Sequence, residues 1–384
     1  MTPPAFVPPA ITGPPMAHLP ATATVRVPTN GVSFRARLAL CTGSVVLALG
    51  VAEVAVRGLA PLPTEAVGRF FAPDAELTYR LASGYQGRFT DDSEFDTWVR
   101  TNVEGLRGPA VHGDRPGLLG VGDSFLFGYG VEDDETFLAL AAGSAFESWN
   151  AGAPGYDVSR ACRLGVRLLE RLRPKAVVLS IFLGNDEADS VPGRIQSEVE
   201  EGGLVEPHRE RSLIRRFTHA IYVRSHLVRR GLLLQGDRQA VRPILGPFLA
   251  PPETEVLAGD RVIGESVREL AAACRRRAAT LVLVVIPEKL EVIEGDAARI
   301  AARAGWNGMA LDLDGPRRRV FEAIGGTGAI VVDARPALRN LVRAGGHPYF
   351  PTDRHFTPEG HRAVAALVIR ALAKGVPEHL AGSG

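Results

Sequence analysis

The stretch Leu118–Gly130, LLGVGDSFLFGYG, constrains the fold more than any other part of the chain. A short apolar run ends at Gly122-Asp123-Ser124 and reads as a buried strand with a serine at its carboxyl end. In a parallel α/β sheet the reactive crevice lies outside those carboxyl ends, and a turn into a helix surrounds a serine with backbone N–H groups. Taken alone, Gly-Asp-Ser also fits an ordinary turn, in which Gly supplies permissive dihedrals and Asp or Ser caps the next helix.

Three further stretches share this pattern. Trp149 to Tyr156, WNAGAPGY, follows a short strand, and a glycine there lets backbone N–H groups approach a substrate closely. Ala176 to Asp186, AVVLSIFLGND, is a continuous apolar run that reads as a buried parallel strand and carries Asn185 to the same sheet edge. Tyr349 to His361, YFPTDRHFTPEGH, places Asp353 two residues before His355 and ahead of a last helix. The spacing predicts strands over 118–122, 145–149, 176–183, 280–286 and 328–333. Helices are expected over 135–143, 158–172, 262–278, near 293–303 and over 358–373. Alternating strands and helices call for an α/β fold of three layers, α/β/α, with a mostly parallel five-stranded sheet.

A serine hydroxyl is a poor nucleophile at neutral pH and needs a base within hydrogen-bond reach, work suited to an imidazole. His355 is the candidate base for Ser124. An acidic neighbour fixes the tautomer and stabilises the imidazolium, the role given to Asp353, with Asp333 at the end of an apolar strand as a rival. His361 reads as a surface or packing histidine in the first turn of the last helix. Asp123 and Asp186 fit turn-holding through side-chain to backbone hydrogen bonds. Arg354 reads either as a contact for an anionic substrate or as a solvated side chain. Tyr129 and Tyr156 fit pocket lining and packing equally.

These blocks, in this order, resemble the SGNH (GDSL-like) hydrolase superfamily over roughly Leu118 to Lys374. The preceding Tyr79 to Gly108, with NVEGLRG at Asn102 to Gly108, resembles the leader of membrane-anchored bacterial members. Phe125 stands where the name-giving motif has Leu. Asp353-Arg354-His355 is one residue shorter than the usual Asp-x-x-His, and this form also resembles the block of exopolysaccharide O-acetyltransferases in the same superfamily. The resemblance implies a flavodoxin-like strand order, 2-1-3-4-5. It also implies an oxyanion hole from the backbone N–H groups of Ser124 and Gly152 and the side-chain amide of Asn185. A neutral amide donates without adding a charge that would perturb the base.

The 384 residues, 46% hydrophobic and 23% charged, suffice for one large α/β core with extra segments. A net charge of +1 argues against a dedicated nucleic-acid binder. No phosphate loop, dinucleotide fingerprint, His-Glu-x-x-His or Cys-x-x-Cys is present, so no cofactor or metal is expected. Of the 3 cysteines, Cys162 and Cys274 fall on predicted helices and read as small buried hydrophobes rather than a pair.

Met1 to Asn30 is rich in Pro, Ala and Thr without apolar periodicity and reads as disordered. Arg35 and Arg37 then precede an apolar run, Leu38 to Val56, broken only by Glu53. It fits a cleaved signal peptide, a buried helix, or a signal anchor with the basic side cytoplasmic, and the arginine distribution favours the anchor. Cys41 lacks the setting of a lipoprotein cysteine. The expected organisation is a cytoplasmic segment 1–37, an anchor 38–57, a leader 58–115, a catalytic domain 116–376 with an insertion 187–260, and a tail 377–384.

Within the insertion, Ser212 to Leu234 interleaves arginine with apolar residues at helical spacing. It suits either a helix lying on lipid or covering the site mouth, or one packed on the domain with a solvated basic face. Three functions fit these residues. The first is an extracytoplasmic serine esterase removing a small acyl group from a carbohydrate or other alcohol. The second is a transferase passing the same acyl group to a glycan, and the third is a non-catalytic glycan-binding scaffold.

Overall fold

The computed structural model describes residues 33–59, 69–91, 94–191, 198–200, 203–205, 225, 244–304, 308 and 310–375. The expected disordered segment, the C-terminal tail and the basic stretch 212–234 lie almost wholly outside them. Two compact units, 1–55 and 56–384, divide the chain.

The first unit is dominated by helix α1 (Phe34–Leu59). Phe34–Gly58 has a mean hydropathy of 2.0 and no buried residue, so it is long and apolar enough to cross a membrane. At 1.5 Å per residue, α1 extends about 39 Å, more than the ~30 Å hydrocarbon layer.

In the second unit two antiparallel hairpins come first, β1 (Phe71–Asp74) with β2 (Thr78–Leu81) and β3 (Gln86–Asp91) with β4 (Phe95–Arg100). Period-2 alternation drives β4: Phe95, Thr97 and Val99 are buried, while Asp96, Trp98 and Arg100 face out. The remaining central strands are β5 (Gly117–Gly122), β6 (Glu147–Gly152), β7 (Ala176–Phe182), β10 (Thr280–Ile286) and β11 (Ile330–Asp333). A small hairpin, β8 (Glu198–Glu200) with β9 (Gly203–Val205), lies between β7 and β10.

The five central strands form one parallel sheet in the order β11-β10-β7-β5-β6. Counted along the domain this is 2-1-3-4-5, the order the resemblance implied. β5, β7 and β10 are buried on both faces and read as unbroken apolar runs for that reason.

Helices cover both faces. On one side α4 (Val158–Leu172) and α6 (Thr254–Arg276) pack Leu164, Leu168, Ile263 and Val267 on Val121, Leu179 and Leu283. On the other, α3 (Phe137–Ala142) and the last helix, α11 (Pro358–Gly375), set Phe137, Leu138, Val364 and Val368 against Leu118, Val178 and Val284. Short helices α2 (Ser124–Phe127) and α5 (Asp186–Asp189) leave the ends of β5 and β7. The rest are α7 (Lys289–Val292), α8 (Asp296–Ala304), α9 (Gly315–Ala323) and α10 (Arg335–Arg343).

α6 begins at Thr254, eight residues before its expected start, inside the span assigned to the insertion. The expected helix near 293–303 is α8, which starts after Gly295 (φ +77°), and the short α7 precedes that span. Cys162 and Cys274 are free and buried, and burial raises both thiols, Cys274 up to about 12.

The hairpins pack on the catalytic sheet. The Tyr79 hydroxyl donates to Pro154 O (3.0 Å), and the Tyr156 hydroxyl donates back to Tyr79 O (2.5 Å). After the second hairpin, Arg107 N bonds Asn150 O (2.7 Å), continuing the sheet edge at β6.

His361 is buried rather than on the surface, at 1% exposure. Its Nδ1 accepts from Phe137 N (3.1 Å), joining α11 to α3. Burial, with the Arg107 and His355 charges adding, pushes it down to about 3. The unfolded chain therefore binds a proton here below about pH 6.5 that the folded chain refuses until about pH 3. This contribution to stability is complete above pH 6.5 and is lost as pH falls; by linkage, about 2 kcal/mol is gone at pH 5. Urea unfolding at pH 7 and pH 5 checks this, with His361→Gln expected to flatten the difference.

Candidate active site

β5 ends in Gly122-Asp123, and α2 starts at once with Ser124. Asp123 is the N-cap: its Oδ1 accepts from Phe125 N (3.1 Å) and from the Ser180 hydroxyl (3.3 Å). Burial pushes this carboxyl up to about 6, while the His355 charge and backbone N–H donors pull it back. Asp123 thus holds the turn, as expected. Phe125 fills the space under the site, its ring 4.4 Å from Phe182 and 4.9 Å from His355.

Ser124, His355 and Asp353 meet although 231 residues separate the first two. His355 Nε2 lies 2.8 Å from Ser124 Oγ, and His355 Nδ1 lies 2.6 Å from Asp353 Oδ1. Asp353 Oδ1 also accepts from His355 N (3.1 Å). The rival Asp333 is committed elsewhere, to Arg317 and Arg335 N.

In the short Asp-Arg-His block Arg354 adopts φ +76°, a left-handed turn that brings Asp353 back onto the His355 ring. Such a conformation costs a non-glycine residue about 1–3 kcal/mol and persists only when its surroundings impose it. Here Arg354 Nε and Nη2 donate to Glu288 (2.7 Å each) and Nη2 to Asp296 (3.1 Å). Arg354 is therefore an ion-paired, partly buried strut, not a solvated side chain. Lys289 Nζ donates to Phe350 O (2.8 Å) and Pro351 O (2.7 Å), fixing the same loop from below.

A cavity of about 290 Å³ opens over the triad, with Phe125, Tyr156, Phe182, Gly155, Gly184, Asn185 and Ile244 in its walls. A larger groove of about 700 Å³ lies between β4 and α3 and contains none of the triad. Among the described residues no cluster of His, Cys, Asp and Glu is arranged to hold a metal.

Gly152 requires a correction. It does not line the cavity, and its N–H donates to Asn150 Oδ1 (3.0 Å). A Cβ at this position would stand 2.3 Å from Phe127 N, so the glycine is needed for the close approach of α2 to β6. Gly155 faces the cavity instead, at φ +80°, its N–H without an intramolecular partner among the described residues. It belonged to the same WNAGAPGY stretch, but spacing does not tell which glycine faces the serine.

Asn185 lines the cavity. One hydrogen of its Nδ2 goes to Asp189 Oδ2 (2.6 Å), leaving the second hydrogen for another acceptor. Asp186 Oδ2 accepts from Phe182 N (2.6 Å), closing the turn. Burial, with the Asp123 charge adding, raises its carboxyl well above the ordinary range. Next to it the buried Glu187 takes Arg319 Nη2 on both oxygens (2.9 and 2.8 Å), and Arg319 Nε donates to Asp260 (3.0 Å), locking α5 to α6 and α9. Tyr129 packs beside His355, ring to ring at 4.9 Å.

A serine at the end of the first strand, an asparagine just past the end of the third and a histidine in the loop before the last helix stand together beside one parallel sheet, the arrangement that the SGNH resemblance implied. Residues 255–383, which carry Asp353 and His355 but not Ser124, match the family model ALGX, described as the SGNH hydrolase-like domain of acetyltransferase AlgX. Solved structures similar to the chain include a G-D-S-L family lipolytic protein from Desulfitobacterium hafniense DCB-2. It has 11% identity and TM-score 0.35, over 67% of this chain and 100% of that one. LAE5, an alpha/beta hydrolase from the Lake Arreo metagenome, has 14% identity and TM-score 0.38, over 67% and 95%. A catalytic mutant of the Geobacillus stearothermophilus acetylxylan esterase Axe2 has 15% identity and TM-score 0.36, over 67% and 94%. No curated protein sequence matches the chain.

Proposed function

We propose that this chain is a serine esterase that removes a small acyl group, acetate foremost, from a carbohydrate or another alcohol. The observation that carries the reading is the continuous line from Asp353 Oδ1 through the His355 ring to Ser124 Oγ, with contacts of 2.6 and 2.8 Å. Distances of this size let a base take the hydroxyl proton as the nucleophile attacks.

In this mechanism Ser124 Oγ attacks the ester carbonyl carbon and its proton passes to His355 Nε2. Asp353 holds the ring and stabilises the imidazolium. The tetrahedral oxyanion is received by the N–H groups of Ser124 and Gly155 and the free Nδ2 hydrogen of Asn185. Removing one such donor costs about 3–4 kcal/mol in the barrier. The intermediate collapses, His355 gives the proton to the departing alcohol oxygen, and the acyl group stays on Ser124. Water, deprotonated by the same ring, then releases the carboxylic acid. The modest cavity and its apolar walls suit a short acyl chain.

A second reading, an O-acyltransferase handing the acyl group to a cell-envelope or exopolysaccharide hydroxyl, is favoured by the family description matched over 255–383. Both readings share the Ser124 acyl-enzyme and differ in the second acceptor. With either goes the proposed organisation of anchor 38–57, leader 58–115 and extracytoplasmic domain 116–376, which places the enzyme beside its glycan.

The test uses the full chain in detergent with p-nitrophenyl acetate, with and without a glycan acceptor, alongside Ser124→Ala. Nitrophenol release in water alone, abolished by Ser124→Ala, supports the esterase. Release that requires the acceptor supports the transferase. A folded protein inactive under both conditions, whose Ser124→Ala variant keeps its cellular function, overturns both in favour of the scaffold.

A further inference from the structure

We infer that Glu94, at the tip of the β3–β4 hairpin, is a positioning residue for the catalytic acid, so that the leader forms part of the active site. This rests on the triad reading above.

The Glu94 carboxylate receives two backbone donors from the catalytic loop, Thr352 N on Oε1 (2.6 Å) and Asp353 N on Oε2 (2.7 Å). The partners are 258 and 259 residues away in sequence, so the contact is made only when the hairpin seats against the finished domain. A carboxylate bridging two successive N–H groups makes a pair of charge-assisted hydrogen bonds, about twice as strong as neutral ones. It fixes the peptide plane immediately before the Asp353 side chain.

That constraint counts because the loop is otherwise strained. Asp353 reaches His355 only through the left-handed turn at Arg354, and the chain must be pinned on both sides of that turn. Arg354 on Glu288 and Asp296 pins it on one side, and Lys289 holds the carbonyls of Phe350 and Pro351. The N–H groups of Thr352 and Asp353 have Glu94.

A second contact from the same tip points the same way. The adjacent Phe95 ring packs on Tyr129 (5.4 Å) and Phe350 (5.2 Å), and Tyr129 packs on the His355 ring. The hairpin therefore touches the acid loop through Glu94 and the base through Phe95 and Tyr129. The two N–H donors that face half-buried Glu94 account for a carboxylate at this position.

The test reads the serine directly, without a known substrate. The full chain in detergent is labelled with a fluorophosphonate probe, and the maximal inactivation rate and the probe's half-saturation concentration are measured for wild type, Glu94→Ala and Glu94→Gln. Glu94→Ala is expected to lower the maximal rate about 10- to 100-fold, since small misplacement of a catalytic group costs on this order. Half-saturation and Tm should hold. Glu94→Gln keeps one oxygen acceptor and should fall between the two.

A Glu94→Ala rate equal to wild type overturns the inference and leaves the triad standing. Parallel loss of rate and Tm, with Glu94→Gln no better than Glu94→Ala, overturns it in favour of a purely structural contact. A wild-type chain that is not labelled at Ser124 overturns the triad reading, and the role of Glu94 with it.

Discussion

His355→Ala is expected to lower kcat for an activated acetate ester about 10³- to 10⁴-fold, leaving the activity that binding and the oxyanion donors supply on their own. In the proposed mechanism the ring contributes two things to the reaction: it accepts the Ser124 proton at Nε2 and later returns it to the leaving oxygen. Alanine removes both, and water in its place has neither the basicity nor the fixed direction. KM should change little, because the proposed role of the ring is to carry a proton in the transition state and not to bind the ester in the ground state. Tm should hold within a few degrees, since the side chain is partly exposed and its contacts are confined to the site.

The acid can be tested in the same assay. Asp353→Asn turns an acceptor at Nδ1 into a group that also favours the wrong ring tautomer, and a loss of about 10²- to 10⁴-fold is expected. Asp333→Asn should leave kcat unchanged and lower Tm instead, because Asp333 holds Arg317 and the start of α10. Inactivation by Asp333→Asn with an active Asp353→Asn would reverse the assignment of the acid.

Arg107→Met is expected to cost about 3–5 kcal/mol of stability, the usual result of breaking a buried ion pair from one side. The Arg107 side chain is 1% exposed, and Nε donates to Asp133 (2.9 Å). Nη1 donates to Phe127 O (2.7 Å) and Gly128 O (2.5 Å), and Nη2 to Val131 O (2.5 Å). The guanidinium thus satisfies the carbonyls at the end of α2, where a helix leaves acceptors without partners. Methionine fills the volume but strips Val131 O of its side-chain donor, leaves Phe127 O and Gly128 O only their longer bonds from Asn150 Nδ2 and Val131 N (3.3 Å each), and leaves Asp133 to Arg100 alone. For a domain of this size the loss lowers Tm by about 10 °C. Activity should fall along with it, because α2 carries Ser124. Arg107→Lys keeps the charge but cannot form the planar fork, and should recover only part of the stability. Guanidinium unfolding of the three proteins measures the series, and a Met variant as stable as wild type would remove this account of α2.

The elements that sequence alone made legible are those whose pattern is set by neighbours nearby in the chain. α4 runs over 158–172 as expected, because Asp157 caps it and the apolar face repeats at helical spacing. β10 runs over 280–286 as expected, because a strand buried on both faces is written as an unbroken apolar run. The helices α9 and α10 were not anticipated: GPRRRVFEA and RPALRNLVR are short and arginine-rich, and what anchors them is contact with distant strands and carboxylates. The two leader hairpins were equally unforeseen, although FDTWVR alternates clearly.

Ser124, Asn185, Asp353 and His355 could be named as candidates from the sequence because acyl-transfer chemistry calls for those residue types at strand ends or in loops. The sequence by itself determined the parallel sheet, the serine at its edge and a helix able to span a membrane, all consequences of local periodicity and turn chemistry. Only the tertiary structure decided the rest. It tied the Gly152 N–H to Asn150 and set Gly155 in the cavity wall, tied Arg354 to Glu288, buried His361, and set Glu94 on the Asp353 loop. Each of these depends on the direction of a side chain or an N–H relative to groups more than fifty residues away or across a turn. Spacing along the chain carries no information about such directions, and packing of the finished domain imposes them.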